Sequence, residues 1–209
     1  MYTIEQMLKA NAQGTATRER ILEAAFETVR RGGYANTSAR AIARRGGFNQ
    51  ALIFYHFGNL NELLLAAVDR VGEDRRRRYQ EVLGSPADPL EFAARARRLY
   101  DEDVETGHST VVAELFAASS GNPVLREHML ARMRSWLEFT EDLIRRFLDG
   151  SPLAALIDPK AAAGAVLALY LGMDLLIHLD GDRGRATDLF DAGDRFAATL
   201  GPLFGAGAQ

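Results

Sequence analysis

The chain has 209 residues, of which 47% are hydrophobic, with no cysteine and a formal net charge of −3. That length supports one large domain or two small ones sharing a helix. The missing thiols exclude a disulfide framework and a thiolate metal site, and the acidic average excludes a protein that coats nucleic acid by bulk attraction. The N-terminal stretch MYTIEQMLKANAQG has no continuous apolar core behind basic residues, so no secretory leader is expected and the chain is placed in the cytoplasm.

In chain order, residues 17–31 set Ile21, Leu22, Ala25, Phe26 and Val29 on a single helical stripe that ends at Gly32-Gly33. Ser38, or Thr37 before it, has the side-chain oxygen that caps a helix start, and the helix runs to Arg45 with Ile42 and Ala43 as a narrow apolar face. Gly46-Gly47 permits a sharp reversal. Asn49 caps a further helix over residues 50–57, where Phe48 and Ile53 pack inward and Gln50, Ala51, Phe54 and Tyr55 project outward. Two short helices around such a turn form a helix-turn-helix, whose second helix fits a DNA major groove about 12 Å wide with its first residues on base edges. Charge agrees with this placement. Residues 1–58 carry eight Lys or Arg against four Glu, a net of +4, while the rest carries seventeen against twenty-four, a net of −7. A basic head on an acidic body is the distribution expected when one end approaches phosphate.

Asn59 opens a helix to about Val82, ended by Gly84-Ser85-Pro86, that joins head to body. Within it, Arg75-Arg76-Arg77-Arg78 covers all sides of a helix and reads as a solvated basic turn. Helices follow over residues 88–106, with Pro89 at the start, 109–119 and 123–148, separated by Gly107, Gly121-Asn122 and Gly150-Ser151-Pro152. No stretch alternates as a strand does, so the class is all-α. Residues 158–179 are apolar nearly all round and long enough to span a bilayer, but Asp174, His178 and the lack of flanking basic anchors oppose a membrane role. Such a helix is expected to be buried on every side, within the domain or by a second subunit. Gly164, Ala168 and Gly172 form a small-residue strip for a close helix approach. The last helix, residues 185–203, is amphipathic through Leu189, Phe190, Phe196 and Leu200, and would complete a four-helix interface across a two-fold axis.

The segment GGFNQALIFYHFGNLNELLLAAV resembles the helix-turn-helix signature of the tetracycline-repressor (TetR) family of transcription regulators, with Gly47, Phe48, Asn49, Phe54, Tyr55, His56 and Phe57 matching in order and the likeness covering about residues 17–70. The resemblance implies an all-α fold with a three-helix DNA-binding head in residues 1–58. Residues 59–209 would form a larger body that binds an effector and makes a homodimer through the last two long helices. It places Gln50, Ala51 and Leu52 at base edges and Tyr55 and His56 near phosphates, with Asn49 and Phe54 on the same surface. The amide of Gln50 can pair bidentately with adenine. Thr37 or Ser38 can offer a hydroxyl and helix-start amides to a phosphate, or serve only as a cap, and Arg40 lies one turn further along. His56 can equally pack beneath Phe57. Three positions depart from the family pattern: Leu52 replaces a common Ser or Thr, Phe54 a Tyr, and Leu60 a phosphate-gripping lysine.

For the body, Tyr100, Phe116, Trp136, Phe139, Tyr170 and Met173 are candidates to line a mostly apolar cavity, with core packing as the alternative for each. Asp174 and His178, one helical turn apart, can interact in a way that favours protonated histidine. They would orient a ligand's polar group or pair in a dimer seam. His108 faces either a pocket or its own loop. There is no nucleophile elbow, HExxH, Walker loop or dinucleotide glycine fingerprint, and Gly107-His108-Ser109 is a chance adjacency, so no enzyme, cofactor or metal site is expected. The expected function is a ligand-responsive regulator, a repressor that binds a near-palindromic operator in double-stranded DNA as a dimer and is released by a small apolar or amphipathic effector. The competing readings are a small-molecule carrier whose head has lost DNA function, and a DNA binder whose body only dimerises.

Overall fold

A computed structural model describes residues 4–84 and 88–205, with side chains described over 11–84, 88–177 and 179–199. His178 and Leu200 therefore lie outside the described side chains, and Ser85-Pro86 outside the described residues.

The first helix, α1 (Ile4–Gly32), begins well before residue 17. The leading segment lacks an apolar stripe, but its Ala, Gln, Leu, Met and Lys residues are good helix formers. Within it Thr15 and Thr17 donate their hydroxyls to the carbonyls of Asn11 and Gln13, one turn back. α2 (Ala39–Gly46) and α3 (Ala51–Phe57) follow, and α4 (Leu60–Leu83) begins at Asn59, whose side chain accepts from the Glu62 amide. Ile21 and Val29 of α1, Ile42 of α2, Ile53 of α3 and Leu63 and Leu64 of α4 meet in one centre and are at most 2% exposed. Burying each such side chain contributes about 1.5–3 kcal/mol.

The body comprises α5 (Pro89–Thr106), α6 (His108–Ser119), α7 (Pro123–Leu148), a short 3-10 turn (Pro152–Ala155), α8 (Pro159–Asp180) and α9 (Gly184–Gly205). Asp88 and Asn122 cap α5 and α7 through their side chains. No strand occurs among the described residues, so the all-α expectation holds. Head and body share one apolar cluster, because Val111 and Leu115 of α6 and Leu125 and Met129 of α7 pack into the centre that holds Ile21 and Leu64. A hydrogen bond reinforces that joint where the Tyr34 amide, just past α1, donates to the Glu114 carboxylate of α6 at 2.8 Å.

The helix α8 packs on α6 and α7, and α9 packs on α5. Over Pro159–Ile177, α8 is long and apolar enough to cross a membrane by length and composition alone. Within the single chain its burial is one-sided, so of the two coverings expected, that by its own domain does not account for the whole helix. Ala163 and Asp174 are buried, but Val166, Leu169, Leu175, Leu176 and Leu179 are exposed. Gly164 and Gly172 have open space where a side chain would stand.

Candidate DNA-binding head and effector cavity

Three local devices set the turn between α2 and α3. Ser38 is the cap of α2, accepting from the Ala41 amide at 3.2 Å, whereas the Thr37 hydroxyl turns back to the Gly33 carbonyl. Gly46 and Gly47 answer different demands. Gly47 adopts φ +67, a left-handed conformation that glycine takes without strain, whereas Gly46 gives room, since a Cβ there would lie 2.1 Å from the Phe48 ring. Arg20 of α1 donates to the Gly46 carbonyl at 3.1 Å, tying the turn to the first helix. Asn49 then accepts from the Ala51 amide at 2.8 Å and starts α3.

This scaffold holds Ile53 at 0% exposure and leaves Asn49, Gln50 and Ala51 exposed at the leading end of α3. Tyr55 is 82% exposed and Phe54 46%, while His56 is half-buried, edge-on to Tyr55 and tilted against Phe57. Arg40 and Arg44 on α2 are exposed; Arg45, also exposed as a residue, donates its Nε to the Thr28 hydroxyl. Leu52 and Leu60 are partly buried against the head core. Their hydrophobic character has a packing role, and neither side chain is wholly given to the surface.

In the body, α4, α6, α7 and α8 enclose a cavity of about 400 Å³. Of the expected ligand residues, His108, Phe116, Trp136 and Tyr170 line it. Phe139 stands edge-on behind Trp136 and packs beside Leu83, Leu99 and Leu143. Tyr100 borders a smaller hollow between α5 and α9, next to Phe190, and Met173 is half-buried on α8 away from the cavity wall.

The arginine run behaves differently from the solvated turn expected of it. Arg77 and Arg78 are exposed and pair with Asp74 and Glu102, but Arg75 and Arg76 turn inward to the cavity. Arg75 makes an ion pair with Asp103, whose side chain is 3% exposed. Asp103 also accepts from the hydroxyls of Tyr79 at 2.7 Å and Tyr170 at 2.9 Å. Arg76 donates to Ser135 at 2.9 Å and covers the Trp136 ring. The cue lay in register, because Val68, Gly72, Arg75 and Tyr79 recur at helical spacing along one face of α4. Arg132 on α7, which pairs with Asp69, had no comparable signal.

Burial shapes the titration of these groups. It raises the Tyr79 hydroxyl to about 12 despite the pull of Arg75, and it holds His108 well below its ordinary value, so that imidazole is neutral, with Nδ1 buried and unpartnered. Asp174, buried, is raised by desolvation to about 7 from 3.8, against a lowering pull from the Ser109 side chain. An unfolded Asp releases its proton near 3.8, so between there and about 7 the folded chain holds a proton the unfolded chain has lost. Stability should therefore fall as pH rises through that window and level off above it. Asp174→Asn is expected to flatten this slope in urea melts at about pH 5 and about pH 8. A slope matching the wild type would remove Asp174 as its source.

The structure thus joins a helix-turn-helix head, through one long helix, to an all-helical body around a cavity. Residues 21–67 match the family model of bacterial regulatory proteins, tetR family. Solved structures agree over most of the chain. The SmeT–triclosan complex is 28% identical at a TM-score of 0.63, covering 79% of this chain and 82% of its own. A TetR transcriptional regulator from Legionella pneumophila is 17% identical at 0.70, covering 87% and 97%. A protein from Saccharomonospora viridis, in complex with choline, is 24% identical at 0.67, covering 89% and 95%.

Proposed function

We propose that the chain is a ligand-responsive repressor of the cytoplasm, in which residues 1–58 read an operator and residues 59–209 bind the effector and form the dimer. The observation that carries this reading is the leading end of α3, where Gln50 and Ala51 stand exposed on a helix anchored by the fully buried Ile53. Gln50 reads a base edge, with Tyr55, His56, Ser38 and Arg40 placed for the flanking phosphates. The bare faces of α8 and α9, through Leu169, Leu176 and Phe196, support a two-fold pairing of bodies that sets two heads on one duplex. The cavity, and the small molecules held by SmeT and the Saccharomonospora viridis protein, support effector binding in the body. Regulators of this family are generally non-enzymatic, and catalysis has no part in the reading.

The carrier alternative loses ground because two departures that motivated it, Leu52 and Leu60, have a packing role in the head. Selection from random duplexes is expected to return a near-palindrome with half-sites about 34 Å apart, bound less tightly as salt rises. Gln50→Ala should cost about 1–3 kcal/mol of discrimination at one position per half-site. If no sequence is enriched over the random pool, the repressor reading fails.

A further inference from the structure

We propose that the body cavity takes an anionic amphiphile, a small molecule with one carboxylate-like head on an apolar tail. The inference rests on that cavity being the effector site of the regulator proposed above. Most of its wall is apolar, with Val112, Phe116, Met129, Met133 and Leu167 among the lining residues. A ligand filling it must therefore be largely apolar itself.

The polar part of the wall is cationic. Three guanidinium groups border the cavity, those of Arg75, Arg76 and Arg132. Two are balanced, Arg75 by Asp103 and Arg132 by Asp69. Among the described residues Arg76 has no carboxylate within ion-pair distance; its partners are the Ser135 hydroxyl at 2.9 Å and the Trp136 ring at 5.8 Å. The Arg132 Nε is also buried without an acceptor. The wall thus holds one guanidinium, that of Arg76, without a counter-charge among the described residues. A half-buried cation without a counter-charge gains most from an anionic partner, because little water screens the pair.

The same geometry rejects cationic ligands. A quaternary ammonium is held by the face of an aromatic ring, and Arg76 already covers the Trp136 face with the protein's own cation.

Trp136 is the only tryptophan in the chain and lines the cavity, so its fluorescence reports occupancy in the full-length protein. The probes are decanoate, decanol and decyltrimethylammonium, which share a tail and differ in the charge of the head. Decanoate is expected to bind about tenfold or more tighter than decanol, as a hydrogen bond to a charged group would give, with decyltrimethylammonium weakest. Arg76→Met should bring decanoate down to the affinity of decanol, and Arg76→Lys should retain a preference for the acid. Equal binding of decanoate and decanol by the wild type, or a preference that persists in Arg76→Met, would overturn the anionic assignment while leaving the cavity as an effector site. Failure of all three probes to bind the folded protein would instead remove the effector-site reading on which the assignment rests.

Discussion

Asp103→Ala should destabilise the protein by about 3–5 kcal/mol, the range for removing one partner of a buried ion pair. The cost comes from what remains behind. Arg75, whose side chain is 12% exposed, loses its counter-charge, and the hydroxyls of Tyr79 and Tyr170 lose the shared oxygen that both donate to. Asp103 lies on α5, Arg75 and Tyr79 on α4, and Tyr170 on α8, so one carboxylate joins three helices of the body. Replacing both charges by apolar groups, as in Arg75→Met with Asp103→Leu, removes the stranded cation and should recover much of the loss. Urea denaturation of the single and double variants checks this. A single variant within about 1 kcal/mol of the wild type would mean that the pair is exposed to water in solution.

Gly46→Ala should abolish operator binding while leaving the body folded. The added Cβ would sit 2.1 Å and 2.6 Å from two carbons of the Phe48 ring and 2.9 Å from the Ala24 Cβ on α1. Phe48 is itself packed against the head core, so it cannot move aside without opening the turn. Overpacking of this kind costs about 1–3 kcal/mol, but its functional effect should be larger, because α3 is aimed by this turn. Gly47→Ala makes the informative comparison. Nothing crowds that position, and the penalty is conformational alone, about 1–2 kcal/mol for a left-handed residue with a side chain. Hydrogen exchange should therefore rise in residues of α1 to α3 for Gly46→Ala, with protection in α7 unchanged. Wild-type affinity for the operator in that variant would show that the turn tolerates the methyl group.

The head was legible in the sequence because its signals are local. A cap at Ser38, a glycine pair and an apolar stripe in residues 17–31 each act within a few residues and occupy the place that spacing assigns them, whereas α3 starts one residue later than expected, with Gln50 in the cap position and Asn49 accepting from the Ala51 amide. The same holds for α5 and α7, whose starts at Pro89 and Pro123 follow from the preceding Asp88 and Asn122 caps. The start of α1 at Ile4 was not legible because the expected helix rests on the apolar stripe that begins at Ile21.

The cavity was only half legible. Aromatic residues on body helices pointed to Phe116, Trp136 and Tyr170, but aromatic character alone does not separate the wall from the packing behind it, and Phe139 and Tyr100 lie elsewhere. Thus local periodicity and capping chemistry determined an all-helical chain with a helix-turn-helix at one end and a basic head on an acidic body. The tertiary structure alone decided which arginines face inward. Arg75 and Arg78 look alike in a run of four, and their difference comes from Asp103 and Glu102, adjacent in sequence but buried and half-buried respectively on α5. Charge balance in a desolvated site depends on partners brought from distant helices, and that information resides in the packing of α4 against α5, α7 and α8.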